Sequence, residues 1–154
     1  EDGNGALEQV AALTAFGVSP QSIILSHVDK GRKSSDSADR AHLRDIAATG
    51  VFLEFDQALR QGLVGDSDSF ELIADLFSEG YGDHVVVGTD GARRSLWRSL
   101  GGEPGLDWLI NSAPTRLRDA GLTESDIDRV FVDNPKRALS FVPVADSLSG
   151  MESR

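Results

Sequence analysis

Cysteine is absent from this sequence of 154 residues. Its absence excludes a disulfide-stabilised scaffold, a thiol nucleophile and any thiolate metal site. A metal bound by this chain must therefore be held by imidazole and carboxylate groups. The sequence offers three histidines and 25 acidic residues for that purpose, so a metal site that includes histidine has few candidates.

Excess positive charge and long apolar runs are also missing. Lysine and arginine together number 15 against 25 aspartates and glutamates, which gives a formal net charge of −10. Such a surface repels phosphate backbones and anionic lipids, so we expect neither a nucleic acid nor a membrane among the partners. No apolar run approaches the roughly 20 residues of a membrane span, and the first residues do not resemble a signal peptide. A cytoplasmic location is the resulting expectation.

Three short apolar runs predict buried strands, at residues 22–26, 51–55 and 85–88. Each run is rich in β-branched or aromatic residues and is bounded by turn formers. A segment with helical spacing of apolar residues precedes each run and ends at a glycine, namely Gly17, Gly50 or Gly80. This unit of helix, glycine and strand repeats about every 30 residues, a spacing typical of a parallel sheet, so the predicted fold class is α/β.

The chain changes character after the third predicted strand. Residues 91–105 form a loop rich in arginine and glycine, and two or three helices follow, the last opened by Asn134-Pro135 as cap and first turn. Residues 143–154 show no periodicity and are expected to form a flexible tail. Three parallel strands do not close a (β/α)8 barrel, which needs about 250 residues. The sequence begins in a predicted helix with no strand ahead of it. We therefore interpret residues 1–142 as the C-terminal portion of such a barrel.

The three predicted strands end in side chains that bind metals or transfer protons, which are His27, Asp56 and Asp90. Functional groups of parallel α/β folds lie at the carboxyl ends of the strands. A polar side chain at a barrel mouth is costly unless it is paired or ligated. Each residue also has a structural alternative: His27 as a satisfied core or loop histidine, Asp90 as a turn aspartate before glycine, and Asp56 as a loop cap.

The strand ends and the closing helices carry motifs that are shared with a known family. The motifs are Ser26-His27-Val28-Asp29, Leu53-Glu54-Phe55-Asp56, Gly88-Thr89-Asp90-Gly91-Ala92-Arg93-Arg94, Gly101-Gly102 and Asn134-Pro135-Lys136-Arg137-Ala138-Leu139. In this order they resemble the phosphotriesterase-like branch of the amidohydrolase superfamily over nearly the whole chain. The resemblance implies a partial TIM barrel, equivalent to strands six to eight with flanking and closing helices.

The resemblance also implies a binuclear metal hydrolase that uses a metal-bridging hydroxide. His27 matches the strand-six histidine that binds the second metal. Asp90 matches the strand-eight aspartate that binds the first metal and accepts the proton of the hydroxide, so it is the candidate catalytic residue. The expected cofactor is a divalent metal, Zn²⁺ with Mn²⁺ as the alternative, because a pair of such ions lowers the pKa of a shared water.

The other metal ligands of the family come from strands that precede this sequence. Two ligands do not hold a binuclear centre, so we predict that the isolated chain is inactive and that the complete barrel is an enzyme. An incomplete barrel exposes sheet edges, so a homodimer or association with the missing N-terminal half is expected. A non-catalytic interaction module is the alternative. A nucleotide-binding domain is disfavoured because residues 29–35 lack the glycine spacing of a phosphate loop.

The sequence departs from organophosphate-degrading members at Lys30, Gln57 and Gly91, which disfavours phosphotriester hydrolysis. The candidate substrate-binding residues are Arg93, Arg94, Asp56 and Lys30. Guanidinium groups bind carboxylate and phosphate in bidentate fashion, so we expect a lactone or related ester as substrate, phosphorylated ones included. Arg98, on the same loop, is grouped with them, and the alternative is that these arginines form surface ion pairs on an acidic protein.

Overall fold

The computed structural model describes residues 5–62 and 68–140. Its strands form one parallel sheet in the order β1-β2-β3, with β1 at Ile24–Leu25, β2 at Phe52–Phe55 and β3 at Val85–Val87. Ile24 lies opposite Phe52, and Leu53 lies opposite Val85. The predicted parallel α/β arrangement is confirmed. The first strand is shorter than predicted because a 3-10 turn takes up Pro20–Ser22.

Helices precede each strand and close the described chain. They are α1 (Ala6–Ala15), α2 (Ser37–Ala48), α3 (Ala58–Gly62), α4 (Asp68–Ser78), α5 (Trp108–Asn111), α6 (Ala113–Asp119), α7 (Glu124–Asp128) and α8 (Asn134–Ala138). A π-helical segment, Arg129–Asp133, joins α7 to α8. The arginine-rich loop after β3 contains two 3-10 turns, Arg94–Leu96 and Arg98–Leu100. No helix within the described ranges combines the length and the apolar character of a membrane span.

Left-handed glycines end the helices that lead into the strands, as predicted. Gly17, Gly50 and Gly80 have φ values of 86°, 87° and 87°. The amide of Gly50 donates to the carbonyl of Ala47, which satisfies a carbonyl at the end of α2. Only glycine adopts this conformation without a steric penalty. Each glycine therefore reverses the chain tightly enough for the next strand to begin within a few residues.

Helices cover one face of the sheet, so the side chains of β2 alternate between that covered face and the opposite one. Leu53 and Phe55 are buried in the core with apolar residues of α2, α4 and α6. Phe52, Glu54 and Asp56 alternate with them and point to the opposite face. The carboxyl ends of parallel strands lie along one edge of the sheet, called the rim below. Side chains that follow these ends and point to the opposite face therefore lie close together at the rim.

Asn134 does not cap the last helix, which corrects the expectation from the sequence. The helical path continues from the π-helical segment directly into α8. The Asn134 side chain is fully buried and donates to the carbonyls of Gly82 and Val85, at 2.8 and 2.6 Å. Asn134 therefore ties α8 to the start of β3, because its side-chain amide donates to two backbone carbonyls there.

The boundaries predicted from the sequence extend beyond the described residues. The predicted tail, residues 143–154, lies outside the described ranges. Residues 1–4 and 141–142 of the predicted barrel portion lie outside them as well. The described part of the barrel portion therefore begins at α1 and ends just after α8.

Candidate functional site

His27 and Asp90 share an uncommon backbone conformation. Within the described chain they are the non-glycine residues with positive φ, at 62° and 39°. His27 follows β1 and Asp90 follows β3. A left-handed conformation costs an L-residue roughly 1–2 kcal/mol, and such strained residues cluster at functional sites. The two candidate metal ligands from the sequence are therefore also the two non-glycine residues with positive φ in the described chain.

Gln57 places His27 and Asp90 at the same rim of the sheet. Its side-chain nitrogen Nε2 lies 3.2 Å from His27 Nδ1 and 3.0 Å from Asp90 Oδ2. The same nitrogen lies 2.7 Å from Asp56 Oδ1. An amide has two hydrogens to donate, and the two carboxylates accept them. The candidate metal ligands are thus separated by a single amide group.

Asp56 orients the imidazole of His27. Asp56 Oδ2 lies 2.6 Å from His27 Nδ1, and a carboxylate only accepts, so Nδ1 carries the hydrogen. This bond raises the pKa of His27, against the opposing effect of desolvation. The lone pair of Nε2 is left for a ligand, as in metal-binding histidines held by a carboxylate. Asp56 itself is buried, with 3% of its surface exposed, and the structure makes it a partner of His27.

Arg60 holds Asp90, a contact that the sequence did not indicate. Arg60 Nη2 lies 2.7 Å from Asp90 Oδ2 and 3.1 Å from the Asp90 carbonyl oxygen. Asp90 Oδ1 has no hydrogen-bond partner in the part of the chain that the structure describes. Arg60 lies in α3, three residues after Gln57, where it reads from the sequence as an ordinary basic residue of a short helix.

Asp29 connects the ends of β1 and β2 beneath this rim. It is fully buried, and its Oδ2 accepts hydrogen bonds from the backbone amide of Gln57 at 3.2 Å and from Ser69 Oγ at 2.5 Å. Its Oδ1 is buried without a hydrogen-bond partner among the described residues. Burial raises the pKa of Asp29 to about 6, although the Ser69 bond acts in the opposite direction. The sequence analysis included Asp29 in the motif Ser26-His27-Val28-Asp29 but predicted no role for it.

Glu54 is a further carboxylate that sequence reasoning passed over. Ser26 Oγ donates to Glu54 Oε2, and a Cβ on Gly88 would lie 2.6 Å from Glu54 Oε1. Glu54 therefore spans the three strand ends on the same face as Asp56. The spacing of two residues between Glu54 and Asp56 was the available signal, because alternate residues of a strand share a face.

Arg93 and Arg94 lie on the loop that follows Asp90. Both are exposed, and neither side chain has a hydrogen-bond or ion-pair partner among residues 5–62 and 68–140. Arg98 differs, because it pairs with Asp107 at 2.6 Å and Glu103 at 3.4 Å. Arg98 therefore forms surface ion pairs, which was the alternative to binding an anionic substrate. Lys30 is exposed beside His27, and its backbone amide donates to the His27 carbonyl at 3.1 Å.

The donor atoms at the rim suit a divalent metal but do not complete a site. His27 Nε2 and Asp90 Oδ1 offer an imidazole nitrogen and a carboxylate oxygen, ligand types that Zn²⁺ and Mn²⁺ accept. Within the described residues, no group of three or more histidine, aspartate and glutamate side chains is arranged to hold a metal. The residues present therefore fit as two ligands of a larger set.

Comparison with known proteins assigns the family. A family model described as the Phosphotriesterase family matches residues 2–139. The chain belongs to the phosphotriesterase family. Members of this family are metal-dependent hydrolases, which agrees with the resemblance found in the sequence motifs.

Relatives include lactonases and an N-acetyltaurine hydrolase. A phospho-furanose lactonase from Mycoplasmopsis synoviae (strain 53) is 32% identical over 145 residues, 90% of this chain and 39% of the lactonase. An N-acetyltaurine hydrolase from Dictyostelium discoideum is 28% identical over 146 residues, 88% of this chain and 38% of that protein. The crystal structure of a lactonase from Listeria monocytogenes aligns with a TM-score of 0.80 and 28% identity over 92% of this chain and 43% of the lactonase.

These proteins are longer than the chain described here. The chain spans 38% and 39% of the two relatives compared by sequence. Phosphotriesterase-family structures are TIM barrels, so the three parallel strands with their helices are part of a (β/α)8 barrel. The partial barrel predicted from the sequence is thereby confirmed.

Proposed function

We propose that this chain supplies strands six to eight of a metal-dependent hydrolase that acts on a lactone or related ester. The observation that carries the proposal is the placement of His27 and Asp90 at one rim, both with positive φ and both within reach of the Gln57 amide. Membership of the phosphotriesterase family supports the reaction class.

The residues at the rim have two proposed roles, which are binding the metal and accepting a proton. His27 presents Nε2 because Asp56 holds the hydrogen on Nδ1. Asp90 keeps Oδ2 on Arg60 and Gln57, which leaves the two lone pairs of Oδ1, one to bind the metal and one to accept the proton of the attacking water. Divalent metal, Zn²⁺ or alternatively Mn²⁺, supplies the activated water and the polarised carbonyl when it is bound. Asp90 is the proposed catalytic residue on this basis.

We propose that the substrate carries an anionic group that Arg93 and Arg94 bind. Both arginines are exposed and unpaired among the described residues, on the loop directly after Asp90. Arginine binds phosphate and carboxylate oxygens through two parallel hydrogen bonds. The relative from Mycoplasmopsis synoviae is named for a phosphorylated lactone. Lys30, exposed beside His27, is the further basic group at this rim.

An amide with an anionic tail is the second candidate substrate. The relative from Dictyostelium discoideum is named as an N-acetyltaurine hydrolase, and taurine carries a sulfonate, whose oxygens arginine binds as it binds those of phosphate. Amide and ester hydrolysis both require attack of water on an acyl carbon. The same rim would therefore serve either substrate, and the relative rates on lactones and N-acyl amino sulfonates would distinguish them.

We further propose that the remaining barrel strands come from a complementary N-terminal half or from a second copy of the chain. Strands β1 and β3 each pair on one side only within the described sheet. An open strand edge is a template for pairing with another chain. Light scattering coupled to size-exclusion chromatography tests this step, and a well-behaved monomer that does not bind the N-terminal half would contradict it.

Replacement of Arg93 and Arg94 by alanine in the assembled enzyme tests the substrate proposal. We expect KM for a phosphorylated lactone to rise about 10- to 100-fold, because hydrogen bonds to charged groups contribute roughly 1.5–3 kcal/mol. The rate on a neutral lactone should change little. Arg98→Ala is the matched control, because Arg98 is already paired with Asp107. Equal effects on both lactones would contradict the role of the two arginines.

A further inference from the structure

Arg60 contacts Asp90 at both its backbone and its side chain. One nitrogen, Nη2, lies 2.7 Å from Oδ2 and 3.1 Å from the carbonyl oxygen of Asp90. The Arg60 side chain is 23% exposed and that of Asp90 is 16% exposed, so water competes little for the contact. Hydrogen bonds between charged groups are about twice as strong as neutral ones.

The Arg60 contact stabilises a conformation that Asp90 does not adopt readily. Asp90 has a φ of 39°, and its carbonyl also accepts from the Ala92 amide at 2.8 Å. A strained backbone persists only when its surroundings hold it in place. Arg60 holds it from α3, an element that begins directly after β2 and Gln57. The backbone conformation of Asp90, after β3, therefore depends on Arg60, which follows β2.

The contact also determines which carboxylate oxygen remains available. Arg60 and Gln57 both donate to Oδ2, whereas Oδ1 has no partner in the described part of the chain. Partners that orient a metal-binding side chain from behind fix its geometry, and their loss commonly costs 10- to 100-fold in metal affinity. Arg60 is such a partner of Asp90, because it holds Oδ2 and leaves Oδ1 available.

We propose that Arg60 is a positioning residue for Asp90, which it clamps with Oδ1 free to bind a divalent cation. This inference rests on the proposed function as far as the cation is concerned, while the clamp itself does not. In this role Arg60 is not itself a ligand of the metal, and it acts through Asp90. A neutral side chain without a donor at this position would allow Asp90 to leave the left-handed conformation.

The test compares three variants of the full chain by NMR. Arg60→Met removes the donor, Arg60→Lys keeps a shorter charged donor, and Arg44→Met is the matched control, because Arg44 pairs with Glu79 at 2.9 Å elsewhere on the surface. Amide exchange at Ala92, whose amide donates to the Asp90 carbonyl, reports the clamp without any metal. Titration with Zn²⁺ alone, followed by the amide shifts of Gly91 and Ala92, reports cation binding. A thermal melt of each variant shows that it is folded.

We expect Arg60→Met to accelerate exchange at Ala92 and to weaken Zn²⁺ binding, each about tenfold. Arg60→Lys should recover most of the Zn²⁺ affinity, and Arg44→Met should match the wild type. Unchanged exchange in Arg60→Met would overturn the clamp. Faster exchange with unchanged Zn²⁺ affinity, or failure of lysine to rescue, would overturn the positioning role. If the wild-type chain alone binds no Zn²⁺, its two donors need the remaining strands of the barrel to hold a metal, and exchange alone decides the clamp.

Discussion

At the scale of single residues, the pairing of His27 with Asp56 decides which ring nitrogen faces a ligand. The carboxylate accepts from Nδ1 at 2.6 Å and raises the pKa of His27 above 6.5. Stability from this pairing is present in full below the unfolded pKa of 6.5 and is lost as the pH rises through the raised value. A neutral imidazole that keeps hydrogen on Nδ1 is the form that binds a metal through Nε2.

Asp56→Asn should lower the pKa of His27, because it removes the negative charge that favours the imidazolium form. The shift of the His27 ring proton against pH, followed by NMR, measures the effect. Asp75→Asn is the control, since Asp75 is a partly exposed aspartate that pairs with Arg40 at 3.7 Å. An unchanged His27 titration in Asp56→Asn would show that the carboxylate does not set the protonation of the ring.

Asp29 changes the stability with pH in the same direction as His27, but in a more acidic range. Burial raises its pKa to about 6, against 3.8 in the unfolded chain. Between these values the folded state holds a proton that the unfolded state releases, so the free energy of unfolding falls as the pH rises from about 4 to about 6. The loss amounts to roughly 3 kcal/mol at most, since one pKa unit corresponds to about 1.4 kcal/mol.

Asp29→Asn removes the titrating group and keeps an oxygen that accepts from Ser69 and Gln57. We expect the stability of the variant, relative to the wild type, to rise between pH 4 and pH 7 by up to roughly 3 kcal/mol. Urea unfolding at four pH values provides the measurement. The exposed Asp45→Asn should show no such trend. A difference between Asp29→Asn and wild type that stays constant with pH would contradict a raised pKa.

At the scale of elements, the regular part of the fold was predictable because local signals determine it. Gly17, Gly50 and Gly80 end their helices in the expected left-handed conformation, and the apolar runs after them form the sheet. Asn134 was misassigned because its partners, the carbonyls of Gly82 and Val85, lie about 50 residues away in sequence. Spacing along the chain carries no signal for such a contact.

The loop after β3 depends on close packing at one glycine. The Gly102 amide donates to the Trp97 carbonyl at 2.9 Å, and a Cβ on Gly102 would lie within 2.5 Å of the Ser95 carbonyl carbon. Backbone cannot move aside as a flexible side-chain end does. Trp97 Nε1 in turn donates to the Gly91 carbonyl at 2.6 Å, so this packing supports the segment that carries Arg93 and Arg94.

Gly102→Ala should therefore rearrange the loop and destabilise the chain by roughly 1–3 kcal/mol, the usual cost of overpacking. Trypsin should cleave the loop at its arginines faster than in the wild type. Gly101→Ala is the control, because Gly101 has a φ of 78° but open space at its Cβ position. It should lose stability through backbone strain alone. Equal cleavage rates in the two variants would show that contact with Ser95 does not hold the loop.

At the scale of the whole molecule, the sequence located the candidate ligands but not the network that holds them. His27, Asp56 and Asp90 were found because each ends a predicted strand, and parallel strands bring such ends to one rim. Arg60 and Asp29 were missed because their roles arise from contacts between elements distant in sequence. Residue type and spacing predict which groups reach the rim, whereas the three-dimensional packing decides which of their atoms remain free.

Those free atoms lead to a prediction for the isolated chain. His27 Nε2 and Asp90 Oδ1 provide two donors, and no larger metal-binding group lies within the described residues, whereas a catalytic zinc usually has three protein ligands. We expect the isolated chain with added Zn²⁺ or Mn²⁺ to hydrolyse lactones no faster than the His27→Ala, Asp90→Ala double variant, which lacks both donors. Turnover that exceeds the double variant at least about tenfold, more than 1.4 kcal/mol of transition-state stabilisation, would show that the rim performs catalysis without further strands.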